Sequence, residues 1–279
     1  MSDIRILHKK LLEIAVYFDE FCSKHNIKYY LGAGTALGAI RHKGFIPWDD
    51  DFDVFMLYED YKRFMECADK FLDKENYYLQ KENTKEWPLF FSKLRKNNTT
   101  FIEETTKDRE MHKGIFIDIF CYRYISDNSI IYFFQYLAAR LLGIKALNDL
   151  GHVPGNRFRR MVSNFLSFFI RGFIKTTLIK IVNSSKNTKR IGYLFSRPKP
   201  IKLIFPSDIV GKARYFDFEG QKFPVFEKVE EYLEMKYGKD YMKIPDKYAI
   251  KKEYPVHAIY WNTEKDFTEY PKLISKEER

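Results

Sequence analysis

Apolar side chains recur at helical spacing at the start of the chain and are followed by short apolar runs. One face of a predicted helix over residues 3–25 collects Ile4, Leu7, Leu11 and Ile14. Further helices are predicted at 34–42 and 58–73, and strands at 28–31, 52–57, 89–96 and 114–122. Because strands and helices intermix through this half, the pattern predicts an α+β fold, with a mixed sheet and flanking helices.

The pattern of apolar positions changes after Asp127, where the chain becomes basic. Apolar residues between Phe158 and Val182 keep helical spacing while Arg and Lys occupy other positions, which predicts one basic amphipathic helix. The longest stretch free of charge in this half, 128–139, is shorter than the roughly 20 apolar residues that cross a bilayer, so no membrane-spanning helix is expected. Residues 186–200 are polar and basic and contain two prolines, which indicates a linker.

The net charge of +10 is concentrated in this basic segment. Between Asn128 and Phe205 there are 14 Lys and Arg against a single acid, Asp149, and subtracting this +13 from +10 leaves −3 for the rest of the chain. An anionic partner is therefore expected here. In one interpretation the amphipathic helix lies on the anionic inner face of the cytoplasmic membrane, and in the other its apolar face packs on the globular core. No nucleic acid is expected as a partner, because no nucleic-acid-reading motif is present.

The cysteines and the N-terminus favour a cytoplasmic location. Cys22, Cys67 and Cys121 are widely spaced, which argues against a disulfide framework and against a structural zinc site. The first residues mix charge into their apolar positions and lack the uninterrupted apolar core of a secretion signal. A protein of the reducing cytoplasm, peripheral to the membrane at most, is expected.

Four aspartates lie within the five residues from Asp49 to Asp53, directly before and inside a predicted strand. Alternate side chains of a strand share a face, so Asp49, Asp51 and Asp53 are able to point the same way. Convergent carboxylates are the hard oxygen ligands that Mg²⁺ or Mn²⁺ prefers. The alternative is a solvated acidic turn before an ordinary edge strand.

A further aspartate, Asp118, lies inside the apolar run GIFIDIF of a later predicted strand. Burial of an unpaired carboxylate there would be costly, so a partner is expected. One solution is a metal ion shared with Asp51 and Asp53. The other is a salt bridge to a buried arginine.

A glycine-rich stretch, LGAGTALGAI, follows the first predicted strand and opens a helix. Glycines let backbone N–H groups approach phosphate oxygens, and a helix N-terminus favours negative charge. A dinucleotide-binding fingerprint is rejected, because that fold places a single acid after repeated strand–helix units. A glycine turn, a short helix and then two carboxylates on a strand indicate a nucleotidyltransferase-like core.

Four blocks of the sequence resemble the LicD family, which includes bacterial phosphocholine transferases and is related to the fukutin-related pentitol-phosphate transferases. The blocks are YYLGAGTALGAIRHKGFIPWDDDFDVFM (29–56), FSKLRKNNTTFIE (91–103), GIFIDIF (114–120) and YLEMKYGKDYMKIPD (232–246). The resemblance covers roughly residues 5–125 and 210–260 and leaves the basic segment outside it. Ala33, Ala36 and Cys121 depart from the family pattern, but no aspartate is affected.

The resemblance implies transfer of a phospho-alcohol group, typically phosphocholine from CDP-choline, to a hydroxyl of a cell-surface glycan or its lipid-linked precursor. Asp51, Asp53 and Asp118 would then hold Mg²⁺ or Mn²⁺, and Asp118 or Asp49 would take the proton of the acceptor hydroxyl. The residues expected to contact phosphate are Gly32, Gly34, Thr35, Arg41, Lys93 and Arg95.

Two other activities share this metal chemistry. One is a nucleotidyltransferase that moves a nucleoside monophosphate to a small molecule, and the other is a transferase that uses CDP-ribitol or CDP-glycerol. The predicted organisation is a nucleotidyltransferase-like catalytic core over 1–127, the basic helical segment over 128–204, the C-terminal part of the catalytic domain over 205–262 and a tail over 263–279.

Overall fold

Helices and strands alternate along most of the chain in the computed structural model, which describes residues 4–151, 153, 155–196, 203–253 and 256–270. The helices are α1 (Ile4–Lys24), α2 (Ala33–Arg41), α3 (Tyr58–Phe71), α4 (Ser129–Leu150), α5 (Arg157–Phe169), α6 (Gly172–Val182), α7 (Val229–Tyr237) and α8 (Lys247–Glu253). The strands are β1 (Tyr30–Leu31), β2 (Asp53–Leu57), β3 (Tyr77–Gln80), β4 (Ser92–Lys96), β5 (Thr100–Glu103), β6 (Phe116–Ile125), β7 (Arg190–Gly192), β8 (Ile204–Pro206), β9 (Arg214–Phe218), β10 (Gln221–Val225) and β11 (Ala258–Asn262). The predicted tail is described only as far as residue 270.

A mixed sheet with the strand order β1-β2-β6-β4-β3 forms the centre of the fold, and β7 and β8 extend it from the far part of β6. Strands β2 and β6 run parallel, whereas β1, β4 and β3 pair antiparallel with their neighbours. Two smaller pairs, β9–β10 and β5–β11, lie outside this sheet. The predicted α+β fold with a mixed sheet is confirmed.

Helix α1 covers the sheet with the apolar face that its sequence predicts. Leu7, Leu11 and Ile14 have no exposed surface and belong to the main hydrophobic core. Their spacing of three and four residues places them on one side of the helix. The helix therefore packs against the sheet through this apolar face.

The basic segment differs from its prediction in two places. Residues 158–182 form two helices, because the chain leaves helical geometry after Phe169 and Gly172 adopts a left-handed φ of 48°. The predicted linker over 186–200 contains strand β7, which pairs with β6 and β8 and so belongs to the main sheet. Residues 197–200 of that linker lie outside the described part of the chain.

Helix α4 extends well beyond residues 128–139, the charge-free stretch on which the prediction of no membrane-spanning helix was based. Its 22 residues are long enough and apolar enough to cross a membrane, judged by length and composition alone. The expectation that no helix spans the membrane stays a prediction. About 28% of the most apolar window is buried. One polar side chain, Gln135, is fully buried and binds the backbone of Ser126, Tyr124 and Val182, which attaches the helix to the folded domain.

Candidate active site

The two strand aspartates lie side by side on the central sheet. Asp53 of β2 and Asp118 of β6 are register partners in the parallel pair, so their side chains point to the same face. The N–H of Asp53 donates to Thr35 Oγ1 at 2.8 Å, and the N–H of Asp118 donates to the carbonyl of Phe52 at 2.8 Å. Two acids separated by 65 positions in the sequence are thus held together by backbone pairing.

Burial and mutual repulsion raise the pKa values of the crowded carboxyl groups. Burial raises the pKa of Asp53 to about 8, with the charge of Asp118 adding to the rise. Burial, and then the charges of Asp53 and Asp49, raise the pKa of Asp51 well above its usual range. The pKa of Asp49 rises to about 6, again chiefly through burial and then through the charge of Asp50. The cluster therefore favours an added positive charge.

Lys93 supplies part of that positive charge. Its Nζ lies 3.0 Å from Asp118 Oδ1 and 3.8 Å from Glu103 Oε2, and only 2% of the side chain is exposed. The ammonium group also lies 3.2 Å from the centre of the Phe116 ring. The buried partner of Asp118 in this structure is consequently a lysine, where the sequence alternatives were a metal ion or an arginine.

A second lysine, which the sequence analysis missed, approaches from the C-terminal block. Lys236 of α7 is partly buried, and the charges of Asp53 and Asp51 oppose the lowering of its pKa that burial causes. Its neighbour Tyr232 accepts a hydrogen bond from the N–H of Ala33 at 3.0 Å, which fixes α7 against the start of α2. The resemblance of residues 232–246 to a family block was the feature that could have identified Lys236.

The donor set of the cluster fits a hard divalent cation in its chemistry. Asp51, Asp53 and Asp118 offer carboxylate oxygens, and a cation would relieve the repulsion that raises their pKa values. Within the part of the chain that is described, however, no three His, Cys, Asp or Glu side chains are arranged as a ready metal site. The assignment of Mg²⁺ or Mn²⁺ to these residues stays a prediction.

The glycine turn at Gly32 and Gly34 contacts the aspartates directly and also exposes backbone amides to a ligand. The N–H of Gly32 donates to the carbonyl of Asp53 at 2.9 Å, and Thr35 is buried with its hydroxyl accepting from the same residue. A Cβ on Gly34 would lie 2.6 Å from Asp49 Oδ2. The amides of Gly34 and Thr35 lie in the first turn of α2, where N–H groups have no carbonyl partner within the helix. These two amides are the ones available to a phosphate.

A cleft of about 340 Å³ opens beside the aspartates. Its wall joins Asp49, Asp51 and Asp53 to the start of α2 and to the C-terminal block. Residues that the sequence analysis did not place in the site also line it: Trp48, Tyr237, Asp240, Tyr241, Lys243 and Pro245. The cleft is large enough for part of a nucleotide-activated substrate. Residues of the N-terminal block 29–56 and of the C-terminal block 232–246 both line it.

The two predicted phosphate-binding arginines have structural contacts. Arg41 lines the cleft, but one guanidinium nitrogen donates to the carbonyls of Tyr241 and Lys243 at 2.9 and 3.2 Å. Arg95 is fully buried, and it donates to Gln80 Oε1 and to the carbonyl of Gly114. Of the two, the structure places only Arg41 at the cleft.

The remaining aspartate of the cluster, Asp50, holds the C-terminal strand. Its carboxylate accepts from the N–H groups of His257 and Ala258 at 2.7 and 2.8 Å and from His257 Nδ1 at 2.8 Å. This hydrogen bond raises the pKa of His257 to about 9. The ring also lies 3.8 Å from Asp51 Oδ2, so His257 is a further site residue that a lone histidine in the sequence did not reveal.

The chain is similar to a known protein family and to individual members of it. A family model described as LicD/FKTN/FKRP, nucleotidyltransferase domain, matches residues 26–135, which include all four aspartates of the cluster and Asp118. The chain is 30% identical over 240 residues to the lipopolysaccharide cholinephosphotransferase LicD of Haemophilus influenzae, covering 84% of this chain and 89% of that protein. An uncharacterised protein of Rickettsia typhi is 41% identical over 70 residues, 24% of this chain and 23% of its own length.

Proposed function

Because the chain belongs to the LicD family of phosphotransferases, we propose that it transfers phosphocholine from CDP-choline to a hydroxyl of a cell-surface glycan or its lipid-linked precursor. The observation that carries the proposal is the pairing of Asp53 with Asp118 beside a cleft lined by the glycine turn. The similarity to a lipopolysaccharide cholinephosphotransferase over most of both chains supports the donor alcohol.

The side chains of the site divide the work of binding and proton transfer. Asp51, Asp53 and Asp118 would hold Mg²⁺ or Mn²⁺, which when bound neutralises charge on the donor diphosphate. Lys93 pairs with Asp118, and Lys236 adds positive charge near Asp53 and Asp51. Asp49, with a pKa of about 6, is suited to accept the proton of the acceptor hydroxyl near neutral pH, and Asp118 is the alternative base.

The proposal is tested by supplying CDP-choline, CDP-glycerol and CDP-ribitol separately and measuring CMP release with Mg²⁺, with Mn²⁺ and with EDTA. We expect CDP-choline to be turned over fastest and EDTA to abolish turnover. Asp53→Asn and Asp118→Asn should each reduce the rate about 100-fold or more. The exposed Asp217→Asn serves as the control and should retain the wild-type rate.

The position of a radioactive label separates the remaining alternatives. Transfer of the choline-phosphate fragment to an acceptor supports the proposal, whereas transfer of the CMP fragment would identify a nucleotidyltransferase. Preferential use of CDP-ribitol or CDP-glycerol would leave the proposed metal chemistry unchanged but would identify a different donor alcohol.

We also propose that the enzyme works at an anionic membrane surface. The aromatic side chains of α5 are exposed, and the buried positions of that helix are Ser163 and Ser167. This exposure supports the sequence interpretation in which the apolar face lies on a membrane, over the one in which it packs on the core. Exposed apolar groups beside Arg157, Arg159 and Arg160 match the chemistry of an anionic bilayer interface.

A further inference from the structure

An apolar cavity of about 480 Å³ lies between α4 and the central sheet, next to the candidate active site. Phe91 and Phe120 form part of its wall and stack with ring centres 4.9 Å apart. Lys93 Nζ is 5.4 Å from the centre of the Phe91 ring and 3.0 Å from Asp118 Oδ1. The cavity thus adjoins Lys93, the partner of Asp118, through Phe91, whereas three aspartates of the cluster line the polar cleft directly.

One cation, Arg140, lines this largely apolar cavity, together with the hydroxyl residues Thr105 and Ser196. A guanidinium nitrogen donates to the carbonyl of Leu194, but Nε is buried without a hydrogen-bond partner. None of the described residues forms an ion pair with it, and burial lowers its pKa. The half-buried guanidinium also lies 5.5 Å from the centre of the Tyr136 ring. A cation of this kind beside apolar walls, with one unsatisfied nitrogen, is complementary to an anionic group attached to an apolar chain.

Gly143 borders the empty volume of the cavity. Gly143 lies in the interior of α4 and lines the cavity, and a Cβ added there would meet no atom within 4 Å. Its φ is not in the left-handed region, and a glycine inside a helix is less stable than alanine. Neither packing nor backbone geometry requires glycine here, so a large side chain at position 143 would extend into the cavity.

A second apolar groove adjoins the cavity and borders the exposed face of the basic segment. The groove lies between α4 and α5 and shares Ile144 and Leu147 with the cavity. Its other end is lined by Phe158 and Val162, both of which are exposed. A chain entering at α5 would therefore follow apolar side chains toward Phe91.

We infer that the cavity beside Asp118 binds the apolar chain of a lipid phosphate, with Arg140 paired to its anionic group. The lipid phosphate has two possible sources, the lipid anchor of the glycan acceptor or a phospholipid of the membrane. The first source rests on the proposed transferase function, whereas the binding chemistry of the cavity does not.

The experiment measures binding of dodecyl phosphate to the full chain by calorimetry, below the critical micelle concentration and without any CDP-alcohol. We expect dodecyl phosphate to bind and inorganic phosphate to show no binding. Gly143→Leu, which fills the cavity, should weaken binding at least 10-fold. Arg140→Gln should remove the preference for dodecyl phosphate over dodecanol. Phe133→Leu introduces the same side chain at an exposed α4 position outside the cavity and should bind like the wild type.

Gly143→Ala guards against misfolding of the leucine variant, since it adds one methyl group and favours the helix. It should raise the melting temperature and weaken dodecyl phosphate binding less than leucine does. Unchanged binding by a folded Gly143→Leu variant overturns the inference, as does a wild type that fails to bind the probe.

Flotation with phosphatidylglycerol vesicles identifies the source. If Gly143→Leu reduces flotation together with dodecyl phosphate binding, the cavity takes a membrane phospholipid. Because the α5 surface is proposed to bind vesicles by itself, retained flotation with lost probe binding is followed by competition. Displacement of dodecyl phosphate from the wild type by a short polyprenyl phosphate, but not by short-chain phosphatidylglycerol, assigns the cavity to the acceptor anchor. Since none of these measurements uses the donor, a negative result leaves CDP-choline turnover untouched, and failed turnover leaves the binding result standing.

Discussion

Asp49 and Gly34 lie so close together that the glycine has no room for a side chain. A Cβ at Gly34 would be 2.6 Å from Asp49 Oδ2, well inside ordinary van der Waals contact. Crowded carboxylates repel one another, so packing and hydrogen bonds are needed to hold the aspartates of this site close together. Thr35 makes a comparable contribution by accepting from the N–H of Asp53.

Replacement of Gly34 by alanine should therefore damage activity more than stability. The new methyl group displaces the Asp49 carboxylate, and we expect CMP release from CDP-choline to fall about 10- to 100-fold. The free energy of unfolding should change little, because alanine favours the helix by roughly 0.5 to 1 kcal/mol.

Gly220→Ala provides the opposite comparison. Gly220 has a φ of 79° and free space around its Cβ position, so alanine there should cost about 1 kcal/mol of stability with turnover unchanged. Urea denaturation and CMP release are measured on both variants. A Gly34→Ala enzyme with wild-type turnover would show that Asp49 has no part in the reaction.

At the scale of elements, α5 presents its apolar face outward. Phe165 is 65% exposed and Phe158 67% exposed, while the small polar Ser163 and Ser167 face the protein. An exposed apolar surface of this kind marks an interaction site in a soluble domain. The neighbouring arginines and the near absence of acids support the proposal that this surface binds an anionic bilayer.

Neutralisation of Arg157, Arg159 and Arg160 to glutamine should weaken binding to anionic vesicles about 100-fold. Each cation near such a surface contributes about 1 kcal/mol, so three together give roughly 3 kcal/mol. Co-sedimentation with phosphatidylglycerol vesicles measures the effect, and added salt should reduce wild-type binding as well. The control changes three exposed lysines elsewhere, Lys62, Lys70 and Lys74, to glutamine. Equal losses in the two triple variants would contradict the assignment of the surface to α5.

At the scale of the whole molecule, the C-terminal part of the chain completes the site. Asp50 binds the backbone of His257 and Ala258 across 207 and 208 positions of sequence. Arg41 does the same for Tyr241 and Lys243. The N-terminal catalytic core predicted from the sequence is thus closed by residues from the other end of the protein.

Asp50→Ala should detach strand β11 from the N-terminal part of the site. The substitution leaves two backbone N–H groups and the His257 ring without their acceptor, which we expect to lower the free energy of unfolding by about 2 to 4 kcal/mol. Hydrogen exchange should show faster exchange of the β11 amides, and urea denaturation the lower stability. Asp217→Ala, at an exposed position, is the control. Unaltered β11 protection in Asp50→Ala would mean that other contacts hold the strand.

The sequence alone determined several local elements, although not the break between α5 and α6 or strand β7, and it placed two acids on strands. Helical spacing identified α1, and an acid inside an apolar run identified Asp53 and Asp118, because both features depend on residues close together in the chain. Periodicity reports only that a helix has two unlike faces, however, so it could not tell that α5 turns its aromatic face to solvent. Tertiary structure decided that, along with the pairing of Lys93 with Asp118, the burial of Arg95 away from the cleft and the arrival of Lys236 at the carboxylates. Each of these depends on strand register and chain path, which bring together groups that local sequence cannot relate.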